Sequence, residues 1–310
     1  MKIVFAGTPD FATLPLIKLV ESGYEIVGVI TQEDKPQGRK GILTPSPVKV
    51  VAQRFGLPVL QPKKIRDEIE SVKALGGDLL ITCAYGQILT QAVLDLFPLG
   101  VWNVHAGLLP QYRGASPIQS CILNGESQTG VCIMKTELGL DTGDILLCKK
   151  TEILPNETYG ELSERLSVLG AEGLIEAVAK IESGNLSLQK QGEDGACVVK
   201  KIGSEAGKID FSLDGKTIVN TVRAFNPEPI AFAFLNGVRV NILRAEESEL
   251  FAQEDGVFGE ILSEKPKQGL IVKCKNGAVK IVELQPAGGK KMSGGDFLNG
   301  RKGEKGQVFL

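Results

Sequence analysis

The sequence predicts an α/β protein in two parts, a mostly parallel sheet flanked by helices and then a small all-β unit. Three observations predict it. Over the first 150 residues, short β-branched runs alternate with amphipathic stretches, the pattern of successive βαβ units. Composition shifts at 184–207, where GNLSLQKQGEDGACVVKKIGSEAG is polar and glycine-rich. Beyond that stretch come five or six short apolar runs separated by turns, the spacing of a small barrel or sandwich.

Each element can be justified in order. KIVFAG (2–7) is apolar throughout, as a strand buried on both faces must be. Thr8-Pro9 reads as an N-cap and first helical residue, with Phe11, Leu14, Leu19 and Val20 inward and Gly23 as the stop. EIVGVIT (25–31) is the second strand, and the Gly- and Pro-punctuated EDKPQGRKGILTPSPV (33–48) reads as a loop. A helix is expected from about Lys49, an extended segment at 57–62 and another helix over 65–75. DLLITCAYG (78–86) and GVWNVH (100–105) are strands around a helix at 91–97. After a helix near 117–124, TGVCIMKT (129–136) and DILLCKKTEI (144–153) form an antiparallel pair, and a long helix runs from Thr158 to Ser183. Past the compositional break, a helix near 215–224 precedes strands at 231–235, 238–245, 259–264, 269–274 and 278–285. The expected fold is thus a Rossmann-like sheet with helices on both faces plus an OB-like barrel. The expected domains are 1–190 and 207–310, with a linker at 191–206.

Composition excludes several classes. With 43% apolar and 23% charged residues among 310, the chain has material for a real core, which argues against disorder. No run of 18 apolar residues suggests a membrane span, and MKIVFAGTPD has no signal-peptide pattern, so a cytoplasmic protein is expected. The six cysteines form no CxxC pair and are expected to be reduced. With one histidine there is no metal-ligand spacing, and no metal is expected. A net charge of −2 argues against a protein coated in nucleic acid, yet residues 265–310 carry 10 Lys+Arg against 3 Asp+Glu. A solvated basic face and a polyanion contact both fit that excess. No long exposed apolar strip stands out, and a monomer is expected.

The chemistry concentrates around that histidine, His105. A lone histidine is usually a satisfied core or surface residue, but three features of this one point elsewhere. It ends a strand at the edge where open α/β sheets hold ligands. It lies two residues after Asn103, so both side chains leave one face. It precedes the turn-rich AGLLPQYRGASPIQ. An amide and an imidazole converging on one point suit a developing oxyanion. The loop ELGLDTGDILL (137–147) offers Asp141 and Asp144, and a carboxylate near His105 would hold it protonated and relay a proton. There is no nucleophile elbow and no GxGxxG, which favours direct transfer without a covalent enzyme intermediate.

NVHAGLLPQYRGASPIQ (103–119) and LDTGDIL (140–146) closely resemble the paired signature of the 10-formyltetrahydrofolate-dependent formyltransferases. FAGTPDFA (5–12), TQEDKPQGRK (31–40), PSPVK (45–49), AYGQIL (84–89), RAFNPEP (223–229) and LQPAGGKKM (284–292) resemble the tRNA-modifying branch, so the likeness covers nearly the whole chain. The resemblance implies transfer of the formyl group of 10-formyltetrahydrofolate, as co-substrate, to the amino group of methionyl-initiator tRNA. It implies that Asn103 and His105 polarise the formyl carbonyl, that Asp141 orients His105 and helps deprotonate the amine, and that Gly107, Leu108, Leu109 and Pro110 line the folate site. It casts the loop carrying Lys35, Arg39 and Lys40 as an insertion into the tRNA acceptor arm. Lys290 and Lys291, with Arg301, Lys302 and Lys305, would form a second phosphate-tracking surface. Two positions depart from the family pattern. Gly107 replaces a serine, which would weaken folate binding or, if that hydroxyl positions His105, slow turnover. Ile230 replaces a glycine. Two other functions stay open: a formyltransferase for a small-molecule amine, and a catalytically weak RNA-binding homologue.

Overall fold

The computed structural model describes residues 1–38, 41–300 and 303–310. They form two compact units, one of 1–117, 128–152 and 163–200, the other of 118–127, 153–162 and 201–310. The chain opens with β1 (Lys2–Gly7), α1 (Thr13–Glu21), β2 (Glu25–Ile30), β3 (Lys35–Gln37), β4 (Ile42–Thr44), α2 (Pro47–Arg54) and β5 (Val59–Leu60). It continues through α3 (Ile69–Lys73), β6 (Leu79–Cys83), α4 (Gln91–Leu94), β7 (Val101–His105), β8 (Arg113–Gly114) and α5 (Pro117–Leu123). Next come β9 (Gln128–Lys135), β10 (Ile145–Glu152), α6 (Tyr159–Glu182) and β11 (Val198–Val199).

The central sheet has the order β10-β9-β7-β6-β1-β2-β5. From β7 to β5 every pairing is parallel, while β9 runs antiparallel to β7 and β10 to β9. Alternation along the strands sorts the two faces. Val4, Ala6 and Leu80 are buried in one cluster with Val72 of α3 and Val93 of α4. Val104 and Val131, one step out of phase in the same ladders, lie under Gly170 of α6. Helices therefore cover both faces, as the sequence predicts. Trp102 belongs to the α6 face, is buried, and donates its indole N–H to Leu99 O.

Three local expectations give way. Thr8-Pro9 does not cap a helix: a 3-10 turn (Asp10–Ala12) intervenes before α1. The Thr8 hydroxyl instead donates to Tyr85 O at 3.0 Å, so tertiary bonding between β1 and β6 outweighs a local cap. The stretch read as a loop at 33–48 contains the β3–β4 hairpin, and α2 begins at Pro47 because the Ser46 side chain caps it at Lys49 N–H. The cysteines are not all reduced core thiols. Cys132 and Cys148 stand opposite each other across β9 and β10 and are joined by a disulfide, and Cys197 is exposed. Cross-strand register, which spacing does not reveal, makes that pair.

The second unit contains α7 (Gly215–Ala224), β12 (Ala231–Leu235), β13 (Val238–Ser248), β14 (Leu270–Cys274), β15 (Gly277–Pro286), β16 (Met292–Ser293) and α8 (Gly294–Asn299). Its antiparallel order is β12-β13-β15-β14, with β16 on β15. The sheet closes on itself through two short extended pieces. Ile261 bridges to Val272 of β14, Glu260 to Val308, and Phe309 to Leu235 of β12. Closure removes the open edges and confirms a barrel over a sandwich. Ile230 enters β12 with φ 72°, a left-handed conformation that a β-branched residue rarely adopts, and this explains why glycine is expected there. Among the described residues no helix is long and apolar enough to cross a membrane.

Phe309 is 2% exposed on the closing strand and packs 6.1 Å from the Phe211 ring. Phe309→Ala should cost about 3–5 kcal/mol in urea denaturation of the whole chain. A loss under about 1 kcal/mol would mean that the C-terminal strand does not hold the barrel shut.

Candidate active site

Asn103 and His105 leave β7 on the same face, toward its C-terminal end, on the strand that is parallel to β6 on one side and antiparallel to β9 on the other. Asn103 stands opposite Thr82 of β6, whose hydroxyl donates to Asn103 Oδ1 at 2.9 Å. That bond fixes the orientation of the amide: its oxygen faces β6, and its two Nδ2 hydrogens point away from the sheet ladder. Asn103 is half-buried, so those donors remain reachable. His105 is 4% exposed and lies opposite Cys132 of β9.

Asp141 comes from the turn between β9 and β10, with φ 52°. Its Oδ2 accepts the Gly114 N–H at 2.7 Å and lies 3.6 Å from His105 Nδ1. The loop after β7 wraps back over the ring, so that His105 Nε2 lies 3.1 Å from Tyr112 O. That carbonyl is an acceptor, which assigns the resting proton to Nε2. Burial depresses the proton affinity of the imidazole and outweighs the opposing pull of the Asp141 carboxylate and the Tyr112 carbonyl. His105 is therefore neutral at neutral pH, whereas the sequence suggested that a nearby carboxylate would hold it protonated. The reason is depth: 3.6 Å is beyond a hydrogen bond, and the ring has almost no water around it.

Several supporting contacts carry no sequence signal, even where the residues lie inside the 103–119 motif. Gly114 has φ 108°, and a Cβ there would collide with Val199 O, so only glycine lets this strand lie against β11. Tyr112 N–H donates to Cys197 Sγ, Arg113 N–H to Cys197 O, and Ala115 N–H to Val199 O. Gln191 bonds both the Asp141 turn and Arg113. The stretch after α6 thus pairs with the site loop, and nothing in its polar composition marks that pairing. Thr82 is equally silent, because strand order is invisible in the sequence.

The structure places the remaining predicted residues as follows. Gly107 is buried beside His105: a Cβ built there would stand 3.1 Å from His105 Nε2 and 3.2 Å from Pro117 Cβ. Leu109 packs with Cys132, Met134 and Ile145, and Leu108 lies against that cluster, so their side chains turn inward under the loop. Pro110 is half-buried. Lys35 is exposed in β3 with Nζ on Gln32 Oε1, while Lys49 is committed to Asp34 at 2.7 Å. Lys290 and Lys291 are exposed between β15 and β16, and Lys305 pairs with Glu264. Arg39, Lys40, Arg301 and Lys302 lie outside the described residues.

An amide, a buried imidazole and a carboxylate come together around the end of β7. Residues 1–178 match the formyl transferase family and residues 201–302 match the formyl transferase C-terminal domain; the chain belongs to that family. Within it, the chain is 43% identical over 311 residues to the methionyl-tRNA formyltransferase of Geotalea uraniireducens (strain Rf4), covering 100% of this chain and 98% of that protein. It is 43% identical to the Bacillus subtilis (strain 168) methionyl-tRNA formyltransferase, covering 99% and 97%. Among solved structures, methionyl-tRNA formyltransferase from Clostridium thermocellum superposes with a TM-score of 0.56 at 20% identity, over 81% of this chain and 95% of that one. HypX from Aquifex aeolicus in complex with tetrahydrofolic acid gives 0.68 at 19% identity, over 99% and 48%. Those two likenesses establish the fold.

Because His105 is the sole histidine, its ring can be followed by proton NMR in tag-free protein. It should titrate below the ordinary histidine range. Asp141→Asn should lower it further, since the carboxylate favours the charged ring. An upward shift in that variant would contradict the electrostatics described.

Proposed function

We propose that this chain moves the formyl group of 10-formyltetrahydrofolate onto the amino group of methionyl-initiator tRNA. The observation that carries the choice of acceptor is identity above 40% to methionyl-tRNA formyltransferases along the entire chain, barrel included. Purely fold-level neighbours, such as the sugar 3N-formyl transferase WlaRD at 20% identity, do not compete with it.

In this reading residues 1–190 carry the transfer and the barrel of 207–310 carries the tRNA, while the join at 191–206 also packs on the site loop through Gln191, Cys197 and Val199. Asn103 Nδ2 and His105 Nε2–H, whose hydrogen rests on Tyr112 O and turns to the substrate when it arrives, hold the formyl oxygen as it becomes an oxyanion. Thr82 occupies the other side of the Asn103 amide and so keeps its donors turned toward the formyl group. Asp141 holds His105 in place and receives the proton shed by the attacking amine, either directly or through His105 Nδ1. The buried ring gains little as a resting cation, but a proton arriving at Nδ1 is met by a carboxylate 3.6 Å away. Collapse then breaks the bond from the formyl carbon to the folate nitrogen, which takes back that proton from Asp141 or His105 and leaves as neutral tetrahydrofolate. Gly107 and the backbone of 108–110 face the folate, because the Leu108 and Leu109 side chains are spent on packing. Lys35, Lys290 and Lys291, with Arg39 and Lys40, contact tRNA phosphates.

The test is incubation with 10-formyltetrahydrofolate and charged initiator tRNA, read as formylmethionine on the tRNA. His105→Ala should lose about 10²–10⁴ in kcat. Formyl transfer to a free amine at equal rate would favour a small-molecule acceptor, and RNA binding without transfer would favour a non-catalytic role. Position 107 abuts the imidazole, so Gly107→Ala should lower kcat more than it raises KM for the formyl donor. The reverse split would place that position in folate binding alone.

A further inference from the structure

Gln191 lies outside every motif that marks the site, in the segment between α6 and β11. Its side-chain amide is almost fully used. Nε2 donates to Asp141 O and to Gly143 O, both at 2.8 Å, and Oε1 accepts from Arg113 Nε at 3.0 Å. A primary amide has two hydrogens, and here both are engaged. The two carbonyls belong to the turn that holds Asp141 at φ 52°, a conformation that a non-glycine residue keeps only where its surroundings impose it. Arg113 belongs to the loop that follows His105, and its neighbour Gly114 supplies the N–H bonded by Asp141 Oδ2. One amide therefore ties together the two loops whose separation sets the distance from Asp141 to His105. Neighbouring contacts reinforce the tie, with Gln189 and Ile145 exchanging both backbone hydrogen bonds at 2.8 Å.

We propose that Gln191 is a positioning residue for formyl transfer: it touches neither substrate nor His105, but fixes the turn that presents the Asp141 carboxylate to the imidazole. The proposal rests on the role given to Asp141 above. Without Gln191, two carbonyls lose their donors and the turn is free to relax toward a right-handed conformation. The Asp141 carboxylate then swings away from Nδ1, and the buried ring keeps only Tyr112 O as partner.

The experiment compares wild type, Gln191→Leu, Gln191→Glu, Asp141→Asn and the double variant Gln191→Leu/Asp141→Asn, all as tag-free full chain. kcat and both KM values are measured with 10-formyltetrahydrofolate and charged initiator tRNA, and the His105 titration is followed by NMR. Gln191→Leu should lower kcat about 10- to 100-fold, the usual cost of losing a residue that orients a reactive group, with each KM within about twofold. Its His105 titration should move down toward that of Asp141→Asn, and the double variant should be no slower than Asp141→Asn alone. Gln191→Glu keeps an acceptor for Arg113 but turns carboxylate oxygens onto two carbonyls, so it should be as slow as Gln191→Leu; it serves if the leucine variant does not fold. A merely structural glutamine would lower the melting temperature while leaving kcat within about twofold and the His105 titration unmoved, and that result overturns the proposal. So does a double variant slower than Asp141→Asn by the full Gln191→Leu factor. If Asp141→Asn keeps full activity, the role of Asp141 fails and this inference with it. If Asp141→Asn is slow and Gln191→Leu is not, this inference alone fails.

Discussion

One carboxylate oxygen holds the site in register. Asp141 Oδ2 accepts the Gly114 N–H at 2.7 Å and stands 3.6 Å from His105 Nδ1, so it links the loop after β7, the turn after β9 and the imidazole at the end of β7. Both residues of the hydrogen bond sit at positive φ, 108° for Gly114 and 52° for Asp141. Neither conformation is the relaxed one for an ordinary residue, and each is held by what surrounds it: Val199 against Gly114, Gln191 against the Asp141 turn. β7 is antiparallel to β9, so His105 stands opposite Cys132 within β9, and the turn that leaves β9 beside Val101 must fold back to bring Asp141 to the imidazole.

The electrostatics follow from burial rather than from charge count. A carboxylate beside a histidine is commonly taken to mean an ion pair. Here desolvation dominates, and the resting ring is neutral, with its proton on Nε2 directed at the Tyr112 carbonyl. A neutral imidazole beside a partly exposed carboxylate suits a reaction in which a proton must be lost from an attacking amine. The site is then charged by its substrate rather than before it arrives.

Much of the fold was legible because it is written in periodicity. The β-branched runs at 2–7, 25–30, 79–83 and 101–105 have no other stable use than a buried parallel ladder, and the short strands after 230 suggested a barrel. What failed was local chemistry that competes with tertiary partners: Thr8 was spent on Tyr85 rather than on a helix cap, and a polar loop hid the β3–β4 hairpin. Barrel closure uses 260–261, inside the segment read as a strand at 259–264, and 308–309, a piece too short to read as one. Asn103, His105 and Asp141 could be nominated because two share a strand face and the third sits in a turn whose residues resemble a known motif. Thr82 and Gln191 could not, and Tyr112 and Gly114, though inside the 103–119 motif, gave no hint of the contacts they make, since those contacts are fixed by register between distant segments. The disulfide between Cys132 and Cys148 escaped notice for the same reason.

The account stands on Asn103 and His105 addressing one oxygen atom. A crystal structure with a stable analogue of 10-formyltetrahydrofolate measures that directly. The formyl oxygen should lie about 2.7–3.1 Å from both Asn103 Nδ2 and His105 Nε2, with Asp141 still on Gly114 N–H. An analogue bound with its formyl oxygen beyond hydrogen-bond reach of both side chains, in a complex that still turns over when given substrate, would contradict it.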